Sequence, residues 1–362
     1  MADERRHLRQ ISLPWCGPAG QERLRGGHAM IAGCGALGCA AIEWLARAGV
    51  GQLTLVDRDV VEWSNLQRQS LFVERDARER APKAEAAARR VREIDSSIRV
   101  HACVEHIDAQ NAAELARGVG VIVDGLDNIE TRFLLNDLAV RGGVPYVHAA
   151  AVAMEGRALA VLPQDIGRAG EPGHAPRGAC LRCVYPELPA PGALPTCEHA
   201  GVLGPLVGMV GAFAASQAIF ILAGRADLLE RRLCAIDLTG RRVAAVDASI
   251  DPQCDCCGRR RFEFLEAAAA PRAARLCGRN SVQVLPARRR DDATDLAALQ
   301  ERLRSHGNFA MRGRELVGAL RDVPGADGEP VELTIFADGR AIVGHCDDEA
   351  LARSIYDRFI GA

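Results

Sequence analysis

The sequence predicts a doubly wound, Rossmann-like α/β sheet with an antiparallel extension and a four-cysteine zinc site, plus a small C-terminal α+β domain. Three observations carry that reading. The stretch from Ala29 to Gln69 runs apolar strand, glycine loop, helix, strand and acid. This is the order of a Rossmann-like βαβ unit, whose loop amides and helix N-terminus face a phosphate. Strand and helix patterns then alternate as far as Leu162, as a largely parallel sheet covered on both faces requires. Finally, two Cys-x-x-Cys pairs, Cys180/Cys183 and Cys254/Cys257, stand far apart in the chain. Four thiolates suit tetrahedral Zn²⁺ in a closed, structural site.

The elements follow in order. A polar lead-in from His7 to Gln10 precedes a short helix over Gly20–Leu24, and Ala29-Met30-Ile31-Ala32 forms the first strand. In Gly33-Cys34-Gly35-Ala36-Leu37-Gly38 the first glycine allows a tight turn and the second lets backbone approach a ligand. The third lets helix pack on strand. A helix from Cys39 to Ala48 leads to a second strand, Gln52–Val56, which ends at Asp57 with Asp59 just beyond. A carboxylate there can accept hydrogen bonds from ribose hydroxyls. Taken alone, this pattern points to a nucleotide such as NAD. The next residues change the chemistry. Asn65-Leu66-Gln67-Arg68-Gln69 supplies amides and a guanidinium, and Pro82-Lys83 opens a helix that runs to Ile94. An Arg and a Lys beside the cradle suit a triphosphate, because they offset the charge that builds up in phosphoryl displacement.

A strand over Ile98–Val104 and a helix over Asn111–Arg117 come next. The apolar run Val119–Val123 ends at Asp124-Gly125-Leu126-Asp127-Asn128. An acid at the carboxyl end of such a strand lies where open α/β sheets bind ligands. Asp127 is therefore a candidate for holding Mg²⁺ or positioning an attacking carboxylate. Asp and Asn both cap helices well, so Asp127 or Asn128 can cap the helix Ile129–Val140. Val144–Val152 is a strand, with Arg157–Leu162 pairing antiparallel to a neighbour. Pro163 to Pro195 reads as a long Pro/Gly-rich loop, a kind that is usually functional or mobile. Cys256 could replace either neighbour in the second metal pair. Cys197 precedes an apolar helix, where the helix N-terminus and His199 could lower its pKa; it is either a reactive thiol or an inert one. Gly201–Gly224 has no charged residue. Pro205, several glycines and two short strands following near Leu233 and Val243 favour a buried core helix over a membrane span.

These patterns divide the chain into a first domain over 1–260, a linker over 261–271 and a second domain over 272–362. The second domain reads as a strand Ser281–Leu285, a helix Ala293–His306, a hairpin around Ala337-Asp338-Gly339 and a closing helix Asp347–Ile360. It carries no catalytic motif, and Cys277 and Cys346 are bystanders. A net charge of −2 over 362 residues gives no support for nucleic acid or a membrane surface as partner. Thirteen cysteines in an α/β pattern favour reduced thiols and metal ligation over disulfides. The opening residues lack the apolar stretch of a signal peptide, so a cytoplasmic protein is expected.

Arg9-Gln10, the glycine loop, Val56-Asp57-Arg58-Asp59, Ser64 to Gln69, Pro82-Lys83, Asp127-Asn128 and the paired Cys-x-x-Cys together resemble the ThiF/MoeB family. These are the ubiquitin-activating-type adenylyltransferases, and the resemblance covers residues 5 to 258. It implies a homodimer that binds MgATP and a small ubiquitin-like sulfur-carrier protein ending in Gly-Gly. The carrier's terminal carboxylate would attack the α-phosphate, giving acyl-adenylate and pyrophosphate, with later thiocarboxylate formation supplied by a rhodanese or cysteine desulfurase in trans. By position, the resemblance places Gly33, Gly35, Gly38, Asp57, Asp59, Asn65, Arg68, Gln69, Lys83, Asp127 and Asn128 around the nucleotide. Arg9 would reach the γ-phosphate from the other subunit, and Asp127 would support Mg²⁺. Cys197 matches a loop cysteine that in some members links covalently to the carrier. Leu126 stands where the family usually has Thr, and neither it nor Ala81 removes a contacting group. Two other readings fit less of the chain: activation of a small molecule or tRNA base on the same fold, and a non-catalytic nucleotide-binding scaffold.

Overall fold

Buried apolar strands at the start of the chain set the sheet, and the helices are arranged to cover it. The computed structural model describes residues 4–167, 171, 173–187, 200–266, 273–276, 280–285 and 294–360. The chain divides into two compact units, Met1–Ala268 and Ala269–Ala362. In the first, α1 (Gly17–Gly26), β1 (His28–Ala32), α2 (Ala36–Arg47), β2 (Gln52–Val56), α3 (Lys83–Ile94) and β3 (Arg99–Cys103) come in order. They are followed by β4 (Val121–Asp124), α4 (Ile129–Gly142), β5 (Tyr146–Val152), β6 (Glu155–Val161), α5 (Gly204–Leu222), β7 (Leu233–Asp237) and β8 (Arg242–Val246).

These strands form one eight-stranded sheet in the order β3-β2-β1-β4-β5-β6-β7-β8. The first five are mutually parallel, and β6, β7 and β8 extend the sheet antiparallel. The register pairs Ala32 with both Val56 and Asp124, so three strands end together at one edge. Met30, Ile31, Val121 and Ile122 are fully buried, which is why β1 and β4 read as unbroken apolar runs. One core lies under α2, α3 and α5, and a second lies between the sheet's other face and α4.

Boundaries shift from the sequence reading in physically plain ways. Helix α2 begins at Ala36, with extended Gly35 as its N-cap, so Gly38 lies inside the helix. The helix expected over Asn111–Arg117 shortens to Ala112–Leu115. Among the described helices, α5 alone is long and apolar enough to cross a membrane. Here it packs on α2, β5 and β6 and buries Leu206, Val207, Val210, Ala214, Ala215 and Ala218.

The second unit is a six-stranded sheet in the order β11-β12-β13-β14-β10-β9. Its elements are β9 (Ala273–Arg275), β10 (Ser281–Val284), α6 (Leu296–Leu303), β11 (Gly307–Arg312), β12 (Glu315–Pro324), β13 (Pro330–Phe336), β14 (Ala341–Gly344) and α7 (Glu349–Phe359). All its neighbours pair antiparallel. Both helices are capped by aspartate: Asp295 accepts from the amides of Ala297 and Ala298, and Asp348 from those of Ala350 and Leu351. The β13–β14 hairpin turns at Gly339, with φ +85°. The β11–β12 hairpin was not foreseen.

The α2–α5 crossing depends on Gly211, where a Cβ would lie 2.7 Å from both the Leu37 carbonyl oxygen and Ala40 Cβ. Gly208, one turn earlier, has open space. Gly211→Ala should therefore cost about 1–3 kcal/mol of stability by overpacking. Gly208→Ala should be neutral or gain up to about 1 kcal/mol from helix propensity. Denaturant titration of both variants checks the contrast, and equal effects would contradict it.

Candidate functional site

The site forms at the carboxyl ends of β1, β2 and β4, where the sheet order reverses on either side of β1. In open α/β sheets this is the position where ligands bind. Gly33 turns the chain with φ +89°, and a Cβ there would lie 2.8 Å from the Gly125 carbonyl oxygen. A Cβ on Gly38 would run into the Gly33 carbonyl, and one on Gly125 would lie 2.7 Å from the same oxygen. Three glycines therefore interlock the β1–α2 loop with the β4–α4 loop. Gly35 differs, since the nearest atom its Cβ would meet is the Gly125 oxygen at 3.8 Å. The open flank at Gly35 adjoins the first-turn amides of α2, which have no acceptors within the helix. Oriented amides in an open concavity of this kind fit an anionic group.

Acidic and basic side chains gather around that cradle. Asp57 accepts the Cys34 amide at Oδ2 and the Asp59 amide at Oδ1, each at 2.7 Å. The carboxylate assigned to ribose thus also orders the glycine loop. Burial lifts Asp57 above the usual carboxylate range, against the pull of Lys83. Lys83 is 8% exposed. Its Nζ lies 3.1 Å from Asp59 Oδ2, and its amide donates to the Asp59 carbonyl at 2.9 Å. Burial works against the lysine's charge, but Asp59 and Asp57, with Asp127 adding further, hold its pKa above the ordinary lysine value. Lys83 therefore stays cationic beside three carboxylates.

The Asn65–Gln69 segment folds as a tight turn. Asn65 is buried, and its Oδ1 accepts the Glu62 amide at 3.0 Å. Arg68 Nη1 donates to the Ser64 carbonyl at 2.8 Å. Gln69 is buried, and its Oε1 has no hydrogen-bond partner among the described residues. Asn128 caps α4 by accepting the Thr131 amide at 2.8 Å, which leaves the exposed Asp127 next to the helix N-terminus. Arg9 is not brought to this site within one chain. Gln10, its neighbour, donates to the Ala48 carbonyl at 2.9 Å. That carbonyl is at the far end of α2 from the glycine loop, roughly 18 Å away at about 1.5 Å per helical residue. Cys197 lies outside the described residues.

Sequence reasoning passed over a buried network directly beneath the β4–α4 loop. Asp124 is fully buried. Its Oδ2 accepts from Tyr146 Oη at 2.6 Å and pairs with His148 Nδ1 at 2.9 Å, while Arg132 Nε lies 3.4 Å away. Burial disfavours the Asp124 charge. Arg132 and the hydrogen bonds from His148 and Tyr146 outweigh it, holding the carboxyl below its usual range. Alternation on β5 places Tyr146 and His148 on one face, a faint signal; nothing in the local sequence links either to Asp124.

The four cysteines form a second centre. The Sγ atoms of Cys180, Cys183, Cys254 and Cys257 all lie within 4.8 Å of one another. Three of the pairs stand at 3.8, 3.6 and 3.3 Å. Tetrahedral zinc with Zn–S of about 2.3 Å needs sulfurs about 3.8 Å apart, so the donor set fits that ion. Cys256 is not a member of this set; it is fully buried and accepts from Asn136 Nδ2 at 3.2 Å. Asn136 Oδ1 also accepts the Leu181 amide at 2.8 Å, so one side chain of α4 joins both halves of the cysteine cluster. Arg182 adds a second tie, with its guanidinium 5.9 and 5.5 Å from the Phe133 and Phe264 ring centres and 3.3 Å from Glu263.

A model of the ThiF family matches residues 7–256. The chain is 38% identical over 358 residues to the sulfur carrier protein ThiS adenylyltransferase of Bacillus subtilis, covering 98% of this chain and 99% of that protein. The similarity therefore extends through the last hundred residues, beyond the stretch where the sequence motifs lie. A SAMP-activating enzyme E1 of Haloferax volcanii is 38% identical over 261 residues, covering 72% of this chain and 91% of its own length. Among solved structures, E. coli MccB with MccA-N7isoASN superposes with a TM-score of 0.59 at 21% identity, covering 71% of this chain and 76% of that one. This last is a likeness of fold.

Metal analysis of reduced, chelator-free protein should find about one zinc per chain. Cys254→Ser should lose it and Cys256→Ser should keep it. Absence of zinc from the unaltered protein, or its loss with Cys256→Ser alone, would contradict the assignment.

Proposed function

The chain belongs to the ThiF family and is an adenylyltransferase, and from that premise we propose the following reaction. MgATP is bound on the glycine cradle, and the C-terminal Gly-Gly carboxylate of a small ubiquitin-like sulfur-carrier protein attacks the α-phosphate. The products are an acyl-adenylate and pyrophosphate. The observation that carries this reading is the cationic Lys83 held beside an open glycine cradle and three carboxylates. A carboxylate nucleophile needs no base; it needs to be positioned and its repulsion from the phosphates cancelled.

In this scheme the α2 amides hold phosphate, Asp57 holds the ribose, and Asn65, Arg68, Gln69 and Lys83 contact the phosphate chain. Asp57, Asp59 and Asp127 surround one lysine, a surplus of negative charge that fits a divalent cation. Bound Mg²⁺ would supply neutralisation of the phosphate oxygens. Arg9, at the wrong end of α2 in its own chain, serves the site of a second subunit, so the working unit is a homodimer. The cysteine cluster holds structural zinc: with four protein ligands, no position is open to substrate. Eleven free thiols among the described residues suit a reducing compartment, the cytoplasm. Sulfur then reaches the activated carrier from a rhodanese or cysteine desulfurase in trans.

ATP–pyrophosphate exchange that requires a Gly-Gly-ended carrier tests this reading. Arg68→Ala and Lys83→Ala should each lower exchange by about 10²–10³, the scale for losing one donor to transition-state charge, with unchanged circular dichroism. Near-normal exchange in both would refute the assigned roles.

A further inference from the structure

The loop between β4 and α4 carries Asp127, and the residue before it is held through both of its backbone polar groups. Leu126 donates its amide to Asp124 Oδ1 at 2.9 Å. Its carbonyl accepts from Arg132 Nη2, which also donates to the Ala149 carbonyl at 3.1 Å. Arg132 sits in the first turn of α4, and its side chain is 12% exposed. The other Asp124 oxygen is occupied by Tyr146 and His148, so the carboxylate cannot swing away from Leu126. Tyr146 and His148 are in turn fixed in the middle of the sheet by β5, and the Tyr185 ring stands edge-on to His148 at 6.2 Å.

From this geometry we infer that Asp124 and Arg132 are positioning residues. They hold the two peptide groups that flank the Leu126 Cα, Asp124 the one before it and Arg132 the one that leads into Asp127, and so fix where Asp127 presents its carboxylate. Both act through the loop. The clamp is a property of the chain itself, and its catalytic consequence rests on the role proposed for Asp127. A metal-binding carboxylate depends on its outer partners for orientation, and their loss typically costs about 10–100-fold.

The test is a double-mutant cycle with a second, activity-independent readout. In carrier-dependent pyrophosphate exchange, Arg132→Ala should lower kcat by about 10–100-fold, with the KM for ATP changing less than about threefold. In an Asp127→Asn background the same substitution should have little further effect, since coupled residues are not additive. Arg132→Lys should restore only part of the loss. Amide hydrogen exchange should quicken over residues 125–128 in Arg132→Ala and Asp124→Asn, with the cysteine-cluster peptides unchanged. The same loss in both backgrounds, or unchanged exchange at 125–128, would overturn the inference. Should Arg132→Ala fail to fold, Arg132→Lys carries the same cycle, because an ammonium cannot hold two carbonyls while facing Asp124. If the unaltered enzyme shows no carrier-dependent exchange, the proposed reaction fails, and the clamp is still judged by the hydrogen-exchange arm.

Discussion

The close approach of Gly33, Gly38 and Gly125 is the constraint on which the rest of the first unit depends. Strands β1 and β4 are adjacent and parallel, so their following loops leave the sheet side by side. A side chain at Gly33 or Gly125 would push the two loops apart, and one at Gly38 would force the start of α2 off the Gly33 carbonyl. Once they are in contact, the amides at the start of α2 and the acid-bearing loop before α4 share one concavity. Asp57 fastens the first loop through the Cys34 amide, and Lys83 is drawn in by the acids that follow β2.

Helix α4 serves as a strut between two centres that the sequence presents as separate. Its start is capped by Asn128 and carries Arg132, which grips the loop ahead of it. Its middle supplies Phe133 and Asn136 to the cysteine cluster, with Asp137 accepting the Phe264 amide at 3.0 Å. Residues a turn or two apart on one helix therefore bear on both the cradle and the metal site. The zinc proposed for the cluster would steady the late segment around Cys254 against the middle of this helix.

Much of this was legible from local pattern. Apolar runs with glycine punctuation fix β1, α2 and β2, and Cys-x-x-Cys spacing points to the metal cluster. Asp-Asn before a periodic segment gives the start of α4. The missed features depend on long-range pairing. Asp124 meets Tyr146 and His148 across two strands, and Asn136 meets Cys256 from far away in the chain, so spacing could not reveal either. Gly125 reads as an ordinary turn residue until β4 is placed beside β1. The β11–β12 hairpin escaped because β11 is largely exposed on both faces, and Gly318 interrupts the apolar alternation of β12.

The most direct measurement is a crystal structure with a non-hydrolysable ATP analogue and Mg²⁺. The account predicts the phosphates over Gly35 and the first turn of α2, with Lys83 Nζ and the Arg68 guanidinium within about 3 Å of phosphate oxygens. Nucleotide bound there with Lys83 still on Asp59 and Arg68 turned to solvent would contradict it, as would nucleotide bound anywhere else.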